Sequence, residues 1–176
     1  RLRDLGYGTG LYRQAPYVAV KVPVFSFEKL SDINSILGPE MKSTGEVLGI
    51  GKTLNEALFK GLVAAGFSLE SKFGGVYISV DPRERSELLQ LAKKFYDAKI
   101  KIYASPENCE TISNLGIDAV IVKKDEVSEL LESRKVDYIV YTNSGDPKDI
   151  EYYMGIHRRA VRLSIACLTS LDTANA

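Results

Sequence analysis

The sequence has few of the residues that metal and nucleophile sites use most. His157 is the only histidine, and Cys109 and Cys167 are the only cysteines. No His/Cys cluster has metal-ligand spacing, and no Ser-His-Asp arrangement is visible along the chain. Two cysteines do not make a disulfide framework, so they read as reduced thiols in a cytoplasmic protein. Neither charge is in excess: Lys+Arg and Asp+Glu both number 23. That excludes a broad basic face, and neither nucleic acid nor a membrane surface is an expected partner. No apolar run reaches the length of a membrane span, and nothing at the start reads as a signal peptide. Internal repeats and low-complexity tracts are lacking as well. What remains is a chain of 176 residues, 45% apolar, enough for one good core or for one core and an appended piece.

The ends carry an expectation of their own. The chain opens on Arg1 and stops at Leu-Asp-Thr-Ala-Asn-Ala, which reads as a helical turn under way. Both suggest a piece of a longer polypeptide. Residues 1–47 differ in character from the rest. Gly6, Gly8 and Gly10 make a flexible entry, and Tyr17 to Phe25, YVAVKVPVF, places valine at every second position. That is a strand, with Pro23 suited to an edge because it lacks an N–H. A polar segment, LGPEMKSTGEV, follows at Leu37 to Val47. One strand and one polar loop cannot form a domain, so this extended segment is expected to dock on something else.

From Thr53 a regular alternation begins. Thr53 and Glu56 form a capping box, and Leu54, Ala57, Leu58, Leu62 and Ala65 share a helical face that Gly66 ends. Strands are expected at Val76 to Val80, Ile100 to Ala104, Ala119 to Val122, Tyr138 to Tyr141 and Ile165 to Cys167. Helices between them start at Asp81-Pro82, at Ser105-Pro106-Glu107, at Glu126 and before His157. Short apolar strands alternating with amphipathic helices mean an α/β fold, doubly wound, with a five-stranded parallel sheet flanked by helices. The division is 1–47 as an N-terminal extended segment and 48–176 as the α/β domain.

In an open parallel sheet, ligands bind beyond the carboxyl ends of the strands. Asp81 follows the first strand; Ser105 and Asn108 follow the second; Lys123 and Lys124 the third; Thr142, Asn143, Ser144 and Gly145 the fourth; Thr169 and Ser170 the fifth. Hydroxyls and N–H groups at a helix start cradle a phosphate, and lysines neutralise it. A phosphorylated small ligand fits this set. The bland alternative is that Ser105 caps its helix and residues 142–145 turn the chain. Two other motifs carry nothing. Gly49-Ile50-Gly51-Lys52-Thr53 ends like a phosphate-binding P-loop, but Glu46 stands where its first glycine belongs. Gly6-Tyr7-Gly8-Thr9-Gly10 has no helix after it. His157, beside Arg158 and Arg159, suits a solvated or capping role. The chain looks built to bind rather than to catalyse.

The segments YVAVKVPVFSF and LGPEMKSTGEV, with the glycines that follow, resemble the end of the second ATP-grasp half of carbamoyl-phosphate synthase large subunits. Downstream, Thr53 to Ala176 resembles that family's C-terminal allosteric domain, of methylglyoxal-synthase-like fold. The resemblance implies a regulatory fragment with no catalytic residues, metal site or cofactor of its own. The parent would use ATP, Mg²⁺ or Mn²⁺, and K⁺ to make carbamoyl phosphate for pyrimidine and arginine biosynthesis. Its implied partners are the rest of the large subunit, a glutaminase small subunit that supplies ammonia, and a nucleotide effector such as UMP or IMP. Self-association into a homo-oligomer stays open. Carried over by position, the effector phosphate site falls on Lys72, Ser105, Asn108, Lys124, Tyr141, Thr142 and Asn143, and an ornithine-site segment on Leu168 and Thr169. Asn108 and Asn143 stand where the family has hydroxyls, Tyr141 where it has an amide, and Leu168 where ornithine-sensitive members have tyrosine. Two alternatives remain: an effector-blind scaffold or oligomerisation domain, and a free methylglyoxal-synthase-like lyase, whose chemistry needs a pocket histidine that His157 is badly placed to supply.

Overall fold

The computed structural model describes residues 2–6, 8–11, 13–25, 43–67, 74–142 and 147–176. The valine-rich segment is a strand, β1 (Val18–Val24), but it does not stand alone. Gly45–Gly51 forms a second strand, β2, that pairs with it antiparallel, Val18 opposite Gly51 and Val24 opposite Gly45. Sequence reading missed β2, whose three glycines read as loop. A boundary between residues 47 and 48 would run through the middle of this strand.

Helix α1 (Leu54–Ala64) lies across the hairpin. Thr53 caps it as expected: its hydroxyl accepts from Glu56 N at 3.2 Å, and the Glu56 carboxylate accepts from Lys52 N at 2.8 Å. The contact between helix and strand is unusually close. A Cβ on Gly49 would stand 1.9 Å from the carbonyl oxygen of Ala57, and one on Gly61 would stand 2.7 Å from Val22 Cγ2. Backbone therefore rests on backbone, and Ala57 and Gly61 are the helix residues that face the hairpin and are buried. Leu54, expected inward, is exposed because it lies in the first turn, ahead of that contact.

The remaining strands are β3 (Gly75–Ser79), β4 (Lys101–Ala104), β5 (Ala119–Ile121), β6 (Tyr138–Tyr141) and β7 (Ala166–Leu168). They form one parallel sheet, as expected, and its strand order is β5-β4-β3-β6-β7. Between them run α2 (Arg85–Asp97), α3 (Pro106–Ser113), α4 (Val127–Glu132) and α5 (Pro147–Arg162), and α6 (Leu171–Asn175) follows β7. A 3-10 turn at Pro82–Glu84, capped by Asp81, precedes α2.

Alternation of side chains across the strands gives each face its own core. Val76, Ile78, Ile102 and Val140 pack with Leu88, Leu91 and Ala92 of α2, Ile112 of α3 and Leu171 of α6. On the other face Tyr77, Ile139 and Tyr141 pack with Val127, Leu130 and Leu131 of α4 and Ile156 and Ala160 of α5. Each fully buried aliphatic side chain there contributes about 1.5–3 kcal/mol. Cys109 and Cys167 are free thiols; Cys109 Sγ donates to the Ala119 carbonyl at 3.2 Å. Among the described residues, no helix is long and apolar enough to cross a membrane.

Candidate functional site

Strand order decides where a crevice opens. From β3 the chain moves to β4 on one side, and from β6 it moves to β7 on the other. Loops leaving β3 and β6 therefore diverge, and the gap at their carboxyl ends is the topological switch point. Asp81 and Thr142 stand at this gap. The Thr142 hydroxyl bridges it, accepting from Asp81 N at 2.9 Å and donating to the Glu84 carboxylate.

Asp81 is buried and answers to Arg83. Its carboxylate accepts from Arg83 Nε and Nη2, both at 2.8 Å, and from Arg83 N at 2.9 Å. These bonds, the side-chain ones first, hold its pKa down at about 2. Sequence reading noted Asp81 but had no signal for its arginine partner.

Ser105 and Asn108 lie one strand over, beyond β4. Ser105 stands at the N-cap of α3 yet makes no capping bond there. Its hydroxyl donates instead to Asn108 Oδ1 at 3.0 Å. The Asn108 amide is buried and grips the end of β3, accepting from Val80 N at 2.7 Å and donating to Val80 O at 3.1 Å. Asn108 thus couples the β4 side of the crevice to β3, and Ser105 is tied to it.

Lys124 follows β5 and reaches α5. Its Nζ lies 2.9 Å from Asp149 Oδ1, and a hydrogen bond to Asp149 is the main cause that raises its pKa. The ammonium also lies 5.4 Å from the centre of the Tyr152 ring. Tyr141, by contrast, is buried, and its ring stacks on Tyr153 at 4.9 Å between centroids. Leu168 is half-buried beside the core and Thr169 is exposed at the end of β7. Lys72 and Asn143 lie outside the described residues.

His157 sits on the core side of α5, its ring 5.7 Å from that of Tyr153, and burial lowers its pKa. It belongs to that aromatic cluster, where Tyr77 is pushed up to about 12 by burial. A separate cavity of about 410 Å³ is lined by Ser128, Glu151, Tyr152, Gly155, Ile156 and Arg159. It is made by α4 and α5 and includes none of the expected phosphate-site residues, so the topology and bonding at the strand ends, rather than cavity size, define the candidate site. Among the described residues, no group of three or more His, Cys, Asp and Glu side chains could hold a metal ion.

No family model matches the chain. Individual relatives do. The carbamoyl phosphate synthase large chain of Lachnoclostridium phytofermentans is 41% identical over the whole of this chain, and that of Clostridium botulinum (strain Langeland) is 38% identical. The protein of the same name from Clostridium perfringens is 36% identical. In each case the chain spans 17% of the relative's length. Among solved structures, methylglyoxal synthase from Elizabethkingia anophelis is similar with a TM-score of 0.46 and 14% identity, over 57% of this chain and 74% of that one. With identity sustained from end to end against relatives that share one name, the chain belongs to the carbamoyl phosphate synthase large-chain family, as its C-terminal segment.

Proposed function

We infer that this segment is the regulatory end of a carbamoyl phosphate synthase large chain and that it binds the phosphate of a nucleotide effector at the β3–β6 crevice. The observation that carries the reading is the convergence of Ser105, Thr142 and Lys124 on the carboxyl edge of one sheet. Ser105 is not spent on capping, so the start of α3 keeps N–H groups and a positive dipole end facing that edge. Effector binding would tune ATP- and glutamine-dependent synthesis of carbamoyl phosphate carried out by the rest of the large chain and its glutaminase partner. The hairpin unit supports this placement. Leu48 and Ile50 on its outer face, and Phe59 and Val63 on α1, are roughly half exposed or more, and the remainder of the large chain is the natural cover for them.

Calorimetry with UMP, IMP and inorganic phosphate tests the reading. Lys124 is mostly exposed, so its contact with a phosphate is worth only about 0.7–1.4 kcal/mol after screening by solvent. Lys124→Ala should therefore weaken nucleotide affinity by about three- to tenfold, more at low salt. Lys93→Ala, which removes only an exposed pair with Asp97, should change nothing. A chain that binds no phosphate ligand at millimolar concentration favours the scaffold reading instead.

A further inference from the structure

The lysine of the proposed site already has an anion on it. Lys124 Nζ and Asp149 Oδ1 are 2.9 Å apart. The lysine is also held from a second direction, with its ammonium over the Tyr152 ring and its own carbonyl accepting from the Tyr152 hydroxyl at 3.0 Å. Asp149 lies in the first turn of α5, where the helix dipole favours a carboxylate. A similar arrangement recurs at Thr142, whose hydroxyl is taken by the Glu84 carboxylate. An incoming phosphate therefore meets a site in which two donors, Lys124 and Thr142, are already engaged by carboxylates of the same chain, while the Ser105 hydroxyl is on the Asn108 amide.

We propose that Asp149 is a built-in placeholder for the effector phosphate: it pairs with Lys124 in the empty site and must be displaced for the ligand to bind. The placeholder sets a threshold and selects for charge. A carboxylate ligand exchanges one negative charge for another at Lys124 and gains little. A phosphate monoester carries close to two at neutral pH and offers three acceptor oxygens, so it gains by the exchange. The site should therefore prefer phosphate monoesters over carboxylates. This inference rests on the effector-site reading above.

The test titrates inorganic phosphate, UMP and acetate into the parent chain and into Asp149→Asn at matched ionic strength, with the Lys124 Cε resonance followed by NMR. Asp149→Asn should bind phosphate and UMP about fivefold more tightly, the size set by loss of one exposed ion pair, and acetate, which no longer trades one charge for another, should gain as well while staying the weakest of the three. The Lys124 resonance should shift in Asp149→Asn before any ligand is added. Asp149→Glu, which keeps the charge, should bind like the parent. If the resonance shifts but phosphate affinity is unchanged or falls, the placeholder is overturned and the effector reading stands. Should neither protein bind phosphate or UMP, the effector reading fails and the placeholder with it.

Discussion

In the hairpin unit a helix rests on glycine; in the parallel sheet the helices rest on leucine, isoleucine and tyrosine. Both arrangements bury a helix against strands, by different means. Around Gly49 and Gly61 the gain comes from backbone contact at short range, and Val22 is the strand side chain buried there. The sheet instead carries two apolar cores, one on each face. A hairpin with one helix on it has an uncovered outer face, and such small units are marginal by themselves. Stability therefore sits in the sheet, and the hairpin unit depends more on what lies against it.

The largest effect should come from the sheet. Ile78 is fully buried on the central strand, so Ile78→Ala should cost about 2–5 kcal/mol. Urea unfolding with hydrogen exchange should show protection lost across β3 to β7. An equal loss in β1 and β2 would mean that the two regions unfold as one unit and would erase the comparison.

A smaller and more local effect is expected from Gly49→Ala. Its new methyl would overlap the Ala57 carbonyl, and overpacking of this kind costs about 1–3 kcal/mol. Exchange should accelerate in β1, β2 and α1 while the sheet keeps its protection. Unchanged exchange in α1 would show that the helix is not held by this contact.

Mild acid should give the smallest effect, and on one region only. Burial depresses the His157 pKa below its ordinary 6.5, so the unfolded chain takes up a proton near that pH that the folded chain still refuses. Sheet stability should be level above about pH 6.5 and fall as the pH drops below it. The hairpin unit has no histidine and should not share that slope. His157→Gln should flatten it, and thermal melts between pH 7 and pH 5 would show whether it does.

These contrasts also explain what could be read in advance. The five parallel strands were legible because each is a short apolar run between amphipathic helices; Gly66 and Gly116 adopt the positive φ of a helix stop before β3 and β5, while Lys99, Arg134 and Ser164 take that conformation before β4, β6 and β7. Strand β2 was not, because Gly45, Gly49 and Gly51 read as loop until α1 is seen pressed against two of them. At the site, Ser105, Lys124 and Thr142 were legible from position after a strand. Their carboxylate partners were not. Asp149 is 25 residues from Lys124 and Glu84 is 58 from Thr142, and nothing in a charge-balanced sequence links such pairs.

The stacked Tyr141 and Tyr153 rings have an optical consequence. The chain contains no tryptophan, so tyrosine dominates its near-ultraviolet spectrum. Packed tyrosines give a circular dichroism signal there only while their surroundings stay fixed. Tyr77, Tyr103, Tyr138, Tyr141, Tyr152 and Tyr153 all belong to the sheet region, whereas the tyrosine described beside the hairpin, Tyr17, is half exposed. The protein thus carries an intrinsic chromophore for the sheet region, and Tyr141, next to Thr142 in the chain, ties part of that signal to the strand that leads into the candidate site.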